Sequence, residues 1–198
     1  SITDGNRERS PDPNHILGHG YAFILAAKYG AADSEKNLVF LNRGVSGNTI
    51  RDLQKRWQAD TLESKPDVLS VLVGVNDNRV GVPIEEYERS YDELLVAVRA
   101  LNPKVRFVLG EPFGLKCGKH TDDWETWSAG LKQRSEVVAK LARKYDAVFV
   151  PYQKAFDDAC RKAPADYWIW DGVHPTYSGH QIMADAWVEA VRSKWPAK

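Results

Sequence analysis

A carboxylate three residues before a histidine is the most informative feature of the sequence. Asp171 and His174 lie in the stretch Asp-Gly-Val-His-Pro. At this spacing the carboxylate can accept a hydrogen bond from the imidazole Nδ1–H, which leaves Nε2 free to take a proton from a nucleophile. A helix-capping aspartate beside a solvent-facing histidine produces the same short pattern. This stretch alone therefore leaves a general base and a structural pair both open.

Two further stretches place glycine and polar residues directly after apolar runs. Residues 74–77 have the sequence Gly-Val-Asn-Asp and follow the run 68–73. The amide of Asn76 can there donate a hydrogen bond to a developing oxyanion. Residues 42–49, Asn-Arg-Gly-Val-Ser-Gly-Asn-Thr, also follow an apolar run, and their two glycines allow backbone N–H groups to approach a ligand. Each stretch taken alone is equally well explained as a tight turn or a helix cap.

These candidate residues need a scaffold, and the pattern of apolar runs predicts one. Four short runs with turn residues at their ends are expected to be buried strands, at residues 37–42, 67–73, 104–109 and 146–150. Longer segments with helical spacing cover residues 19–29, 49–63, 83–101, 124–144 and 177–194. This alternation predicts an α/β fold, a three-layer α/β/α arrangement whose central parallel sheet carries functional residues in loops at the carboxyl ends of its strands.

Length, composition and charge exclude several function classes. The 198 residues, 43% of them hydrophobic, are expected to form one domain, 1–198. Because 27 Lys and Arg balance 27 Asp and Glu, no net electrostatic field favours binding to nucleic acid or to an anionic membrane. The apolar runs are also too short to cross a bilayer. Cys117 and Cys160 are too few for a zinc cluster or a disulfide framework. The sequence does not indicate a compartment or an oligomeric state.

Taken together and in this order, the stretches resemble the SGNH (GDSL-type) hydrolase family. The blocks of that family are Gly-Asp-Ser near the start, a glycine-containing second block, Gly-x-Asn-Asp, and Asp-x-x-His near the end. The last three match here in full, and residues 1–5, Ser-Ile-Thr-Asp-Gly, look like the first block without its leading Gly-Asp. The resemblance covers nearly the whole chain. It implies the flavodoxin-like SGNH hydrolase fold.

The resemblance also implies a role for each block. Ser1 would be the nucleophile, His174 the general base and acid, and Asp171 its orienting partner. The oxyanion donors would be the backbone N–H groups of Ser1 and Gly47 and the side-chain amide of Asn76. If Ser1 began the mature protein, its nitrogen would be an amine, which would remove one donor. That amine could then serve as the base for the Ser1 hydroxyl, although the Asp-x-x-His pair would then have no catalytic role.

Details within the blocks look most like bacterial acetylxylan esterases. They are the stretch 44–53, Gly-Val-Ser-Gly-Asn-Thr-Ile-Arg-Asp-Leu, and the Trp170-Asp171 pair. This likeness implies removal of acetyl groups from xylo-oligosaccharides through an acyl-enzyme, with no metal or cofactor. Trp168 and Trp170 are candidates for stacking on a sugar ring, with core packing an equal alternative for each. Arg79 is a further candidate pocket residue.

Two alternatives stay open at this point. One is an esterase or lysophospholipase for other short acyl groups, and the other is a non-catalytic carbohydrate-binding relative on the same scaffold. The expected partner in the leading interpretation is a small-molecule or oligosaccharide ester, with neither nucleic acid nor membrane. Comparison of acetyl with longer acyl substrates separates the two enzymatic readings.

The start of the sequence generates one more expectation. Residues 1–5, which carry Ser1, are called the serine turn below. In this fold pattern a strand places such a turn at the end of the sheet, so we expect an apolar strand upstream of Ser1 that ends in Gly-Asp. Without that strand, a slot of about two strand spacings, roughly 9–10 Å, should separate the strands predicted at 37–42 and 67–73. Direct pairing of those two strands, with Ser1 remote from His174, would make both this expectation and the triad wrong.

Overall fold

The computed structural model describes residues 1–10 and 14–196, and its centre is a parallel β-sheet. Within these residues the sheet contains β1 (Val68–Val71), β2 (Arg106–Gly110) and β3 (Val148–Val150), in the spatial order β1-β2-β3. Both strand pairs are parallel. The strands predicted at 67–73, 104–109 and 146–150 are therefore confirmed.

Helices occupy the connections between the strands. In the described part of the chain they are α1 (Tyr21–Ala32), α2 (Ile50–Trp57), α3 (Val75–Val80), α4 (Ile84–Leu101), α5 (Trp124–Lys144), α6 (Tyr152–Ala159), α7 (Ala165–Trp168) and α8 (Tyr177–Lys194). The predictions at 124–144 and 177–194 coincide with α5 and α8. The helix predicted at 49–63 is α2 followed by a π-helical turn at Gln58–Leu62. No helix in the described ranges has the length and apolarity required to cross a membrane.

Side chains of β2 alternate between two separate cores. Phe107 and Leu109 belong to a cluster built with α2, α4 and α5, whereas Val108 belongs to a second cluster built with α1, α6 and α8. Successive strand residues point to opposite faces of a sheet, so each face of this sheet is covered by its own layer of helices. The predicted three-layer α/β/α arrangement is confirmed.

The strand predicted at residues 37–42 is wrong. This segment lies outside the sheet and forms no regular structure, and Val39 and Leu41 are 83% and 54% exposed. A cavity of about 1090 Å³ is lined both by this segment and by residues of β1. A strand requires a neighbour for its backbone hydrogen bonds, and β1 pairs only with β2 among the described strands. The two segments are thus not paired directly.

A buried arginine fastens α3 to the layer of helices beneath it. The Arg134 side chain, on α5, donates hydrogen bonds to the carbonyl oxygens of Asp77 (3.1 Å) and Val82 (2.7 Å) and to Oδ1 of Asn78 (3.1 Å). Arg134 is only 5% exposed, and burial lowers the pKa of its guanidinium. These bonds satisfy backbone oxygens at the end of α3 that water does not reach.

We predict that Arg134→Met lowers the free energy of unfolding by about 2–4 kcal/mol, because it removes two buried hydrogen bonds and leaves the carbonyl oxygen of Val82 without its side-chain donor. Urea denaturation followed by circular dichroism measures the change. Lys132→Met, an equal loss of charge at an exposed position of the same helix, is the matched control and should stay within about 0.5 kcal/mol of the parent. Equal stability of the two variants would contradict the stabilising role of the Arg134 hydrogen bonds.

Candidate active site

The loop between α7 and α8 brings Asp171 and His174 together. Oδ2 of Asp171 lies 2.8 Å from Nδ1 of His174, and Oδ1 accepts the backbone N–H groups of Val173 (3.0 Å) and His174 (2.8 Å). Burial alone would raise the pKa of Asp171, but hydrogen bonds from His174, Lys119 and Val173 outweigh it and hold that pKa well below its usual range. The carboxylate is thus ionised and can only accept, so it fixes the proton of His174 on Nδ1.

The other ring nitrogen of His174 faces Ser1. Ser1 Oγ lies 2.6 Å from Nε2 of His174. Since Nδ1 carries the proton, Nε2 is the acceptor and the Ser1 hydroxyl is the donor. A continuous hydrogen-bonded series therefore runs from Ser1 through His174 to Asp171. This is the arrangement in which a histidine can remove the proton of a serine.

The serine turn is fastened to the second glycine-containing stretch. Nδ2 of Asn42 donates to the carbonyl oxygen of Thr3 (2.7 Å), and Oδ2 of Asp4 accepts the backbone N–H of Ser46 (2.8 Å). A Cβ on Gly44 would lie only 2.6 Å from the backbone nitrogen of Asp4, so only glycine allows this approach. Backbone and side-chain contacts together hold residues 42–46 against the turn that carries Ser1.

Gly47 and Asn76 are the other two residues predicted to donate to an oxyanion. Gly47 has φ of +82°, a conformation that favours glycine, and nothing lies within 4 Å of the position that a Cβ would take. Asn76 is half-buried in the first turn of α3, and Nδ2 donates to the carbonyl oxygen of Asn48 (3.1 Å). An amide nitrogen has two hydrogens, so the second remains for a ligand. Ser1 and Asn76 both line the large cavity described above.

Asp77 joins α3 to α2 immediately behind Asn76. Oδ1 of Asp77 accepts the backbone N–H of Ile50 (2.8 Å), and the residue is completely buried. Burial raises the pKa of Asp77, against the opposing effect of the hydrogen bond from Ile50. The first turns of both helices are thereby held in one orientation, which fixes where the Asn76 amide lies.

The three predicted substrate contacts occupy different environments. Trp170 is 62% exposed, and its ring is stacked on His174 with 5.9 Å between ring centroids and 23° between planes. Trp168 is half-buried and donates from Nε1 to the carbonyl oxygen of Ala163 (3.2 Å), which favours packing for this residue. Arg79 is exposed in the last turn of α3. Of these three residues, Trp170 is the one whose ring is stacked on His174.

Sequence reasoning missed two residues that contact this assembly. Lys119 Nζ lies 2.9 Å from Oδ2 of Asp171, the oxygen that also faces His174. Asp4 organises the serine turn through Ser46 and an ion pair with Arg9 at 2.8 Å. The first block contains Asp4, so its position within that block was an available signal. No spacing connects Lys119 to Asp171, and only the fold brings them together.

Comparisons with known proteins identify a matching family and several relatives of this chain. The model of the GDSL-like lipase/acylhydrolase family matches residues 1–182. An acetylxylan esterase from Geobacillus stearothermophilus is 30% identical over 207 aligned residues, which cover 98% of this chain and 92% of the relative.

Solved structures extend the likeness to three dimensions. The crystal structure of an acetylxylan esterase from Geobacillus stearothermophilus has a TM-score of 0.85 and 30% identity, over 96% of this chain and 90% of that chain. A Parabacteroides merdae protein described as a GDSL-like lipase has a TM-score of 0.90 and 37% identity, over 96% and 91%. This chain therefore belongs to the GDSL-like (SGNH) lipase and acylhydrolase family, a family of esterases.

Proposed function

We propose that the protein is a serine esterase that removes acetyl groups from carbohydrate esters such as acetylated xylo-oligosaccharides. The observation that carries the proposal is the 2.6 Å contact between Ser1 Oγ and His174 Nε2, with Asp171 at 2.8 Å behind the same ring. A serine hydroxyl is a poor nucleophile at neutral pH unless a base accepts its proton as it attacks. The 30% identical acetylxylan esterase supports the choice of the acetyl group and the sugar.

In the first half of the reaction, Ser1 Oγ attacks the carbonyl carbon of the ester while His174 accepts the hydroxyl proton. The negative charge moves to the carbonyl oxygen, and Asp171 stabilises the imidazolium that forms. We propose the backbone N–H groups of Ser1 and Gly47 and the amide of Asn76 as donors to that oxygen. Such donors act mainly on the tetrahedral intermediate, where the charge develops.

In the second half, the intermediate collapses and the C–O bond to the sugar breaks. His174 gives its proton to the departing sugar oxygen, which leaves as an alcohol, and Ser1 keeps the acetyl group as an ester. Water then attacks the acetyl-enzyme while His174 accepts its proton. His174 returns that proton to Ser1 Oγ as the bond between Ser1 and the acetyl group breaks, and acetic acid leaves and gives its remaining proton to the solvent.

The indole of Trp170 supports a sugar as the alcohol portion of the substrate. Its ring is 62% exposed and is stacked on the ring of His174, the residue proposed to transfer the proton. An exposed aromatic face in this position can stack on the apolar face of a sugar ring while His174 reaches the ester. The same ring limits the space around the histidine, which favours a small acyl group.

We predict that Ser1→Ala lowers kcat by about 10⁴–10⁶-fold, because no other group supplies the nucleophile. Initial rates on p-nitrophenyl acetate measure the loss, and the thermal unfolding midpoint checks the fold. Ser193→Ala, at an exposed position near the end of α8, is the control and should match the parent. Near-normal hydrolysis by a folded Ser1→Ala enzyme would refute the proposed mechanism.

Asn76→Ala is expected to lower kcat about 10²–10³-fold with little change in KM, because the amide would meet an oxyanion that exists only during the reaction. Steady-state kinetics separate the two constants. Asn102→Ala is a matched control, since that half-buried amide also donates to a backbone carbonyl at 3.1 Å, at Pro66, on a remote turn. A change confined to KM would instead make Asn76 a ground-state contact.

The substrate class predicts a dependence on both acyl length and Trp170. We expect kcat/KM to be higher for p-nitrophenyl acetate than for the butyrate and octanoate esters. Trp170→Ala should raise KM about 3- to 10-fold for acetylated xylo-oligosaccharides, because a stacking contact is lost, and much less for p-nitrophenyl acetate. Trp170→Phe should retain part of the effect. A preference for octanoate would favour the lysophospholipase alternative.

A further inference from the structure

Lys119 contacts the carboxylate of the proposed triad at the oxygen that faces His174. Nζ of Lys119 lies 2.9 Å from Oδ2 of Asp171, the oxygen that also lies 2.8 Å from Nδ1 of His174. The side chain of Asp171 is 10% exposed and that of Lys119 is 51% exposed. One oxygen therefore serves two cationic or potentially cationic partners, while the other oxygen is occupied by backbone N–H groups.

The fold holds the backbone of Lys119 against the triad loop. The residue lies in a 3₁₀ turn, Gly118–His120, and a Cβ at Gly118 would come within 2.6 Å of the Cα of Asp171. Gly118 also has φ of +56°, so both the close approach to Asp171 and the backbone conformation favour glycine here. The ring of His120 is stacked on Trp127 at 3.8 Å, which anchors the end of the turn. The position of the ammonium group is thus a product of tertiary structure.

We propose that Lys119 is a positioning residue of the active site, which shares Oδ2 of Asp171 with His174 and so makes the imidazole harder to protonate. This inference rests on the proposed function. In a triad the carboxylate stabilises the imidazolium. A second cation on the same oxygen withdraws part of that stabilisation and repels the charged ring. The neutral form of His174, which accepts the serine proton, then persists to lower pH, and the carboxylate remains ionised.

Other charged or titratable groups around His174 do not duplicate this effect. They are Ser1, whose Oγ contacts Nε2 of His174, His180 on α8, which interacts electrostatically with His174 and with His19, and Cys117 beside the 3₁₀ turn, which interacts electrostatically with Asp171. Burial, with smaller effects from His19 and His174, lowers the pKa of His180 to about 4, so this ring is neutral at working pH. Burial raises the pKa of the Cys117 thiol, so that group is neutral too. Lys119 is the cation bonded to the carboxylate.

The test is the acid side of the pH profile of kcat/KM on p-nitrophenyl acetate. In Lys119→Met, the pH of half-maximal kcat/KM on this side should rise by about 0.3–0.7 pH unit, the size expected for a half-exposed ion pair. Lys119→Arg, which keeps the positive charge, should have the same pH profile as the parent. Lys116→Met removes an equal charge from an exposed position of the same loop and should leave the profile unchanged. A profile of folded Lys119→Met identical with the parent overturns the proposal.

A second measurement keeps the proposal separate from the esterase mechanism. The protein contains 5 histidines, and His174→Gln assigns the ring signal of His174 in an NMR titration. The midpoint of that signal should rise by the same amount in Lys119→Met and in Lys119→Gln, whether or not an ester is hydrolysed. An unchanged midpoint in both variants overturns the role of Lys119. A shifted midpoint in a protein that hydrolyses no ester would sustain it while refuting the proposed function.

Discussion

The hydrogen bonds to the carboxylate of Asp171 are the constraint on which the site depends. Two come from the backbone of the same loop, one from His174 and one from Lys119. The backbone bonds set the shape of the loop, and the side-chain bonds set the orientation and proton of the ring. Loss of this carboxylate would release the loop, the tautomer and the contact with Ser1 together, because all of them use the same two oxygens.

The remaining parts of the site come from separate loops at one edge of the sheet, and directional bonds align them. Asn42 reaches the serine turn, Asp4 reaches Ser46, and Asp77 reaches the first turn of α2 at Ile50. The two hydrophobic cores beneath hold the helices against the sheet, but apolar contacts have no preferred direction. Hydrogen bonds to backbone atoms therefore set the orientation of the serine turn against residues 42–46, and of α3 against α2, more closely than core packing does.

Sequence patterns predicted the fold where local periodicity and burial agree. The ends of α5 and α8 follow from their apolar spacing, and the three confirmed strands are short apolar runs bounded by turns. The strand at 37–42 has the same local character, yet it lies outside the sheet because pairing depends on a neighbour that local pattern does not specify. The blocks likewise named Ser1 and His174, and their contact at 2.6 Å is a property of tertiary structure.

Lys119 illustrates why some parts of a site escape sequence reasoning. It is 52 positions from Asp171, belongs to no block, and is one of many surface lysines by composition. Its relevance comes from the glycine turn that brings its backbone against the loop of Asp171 and His174, and from the low exposure of Asp171 to water. An ion pair has more influence where solvent screening is reduced on one side. The same lysine on an open helix face would leave the histidine unaffected. The influence of Lys119 on His174 therefore depends on where the fold places it.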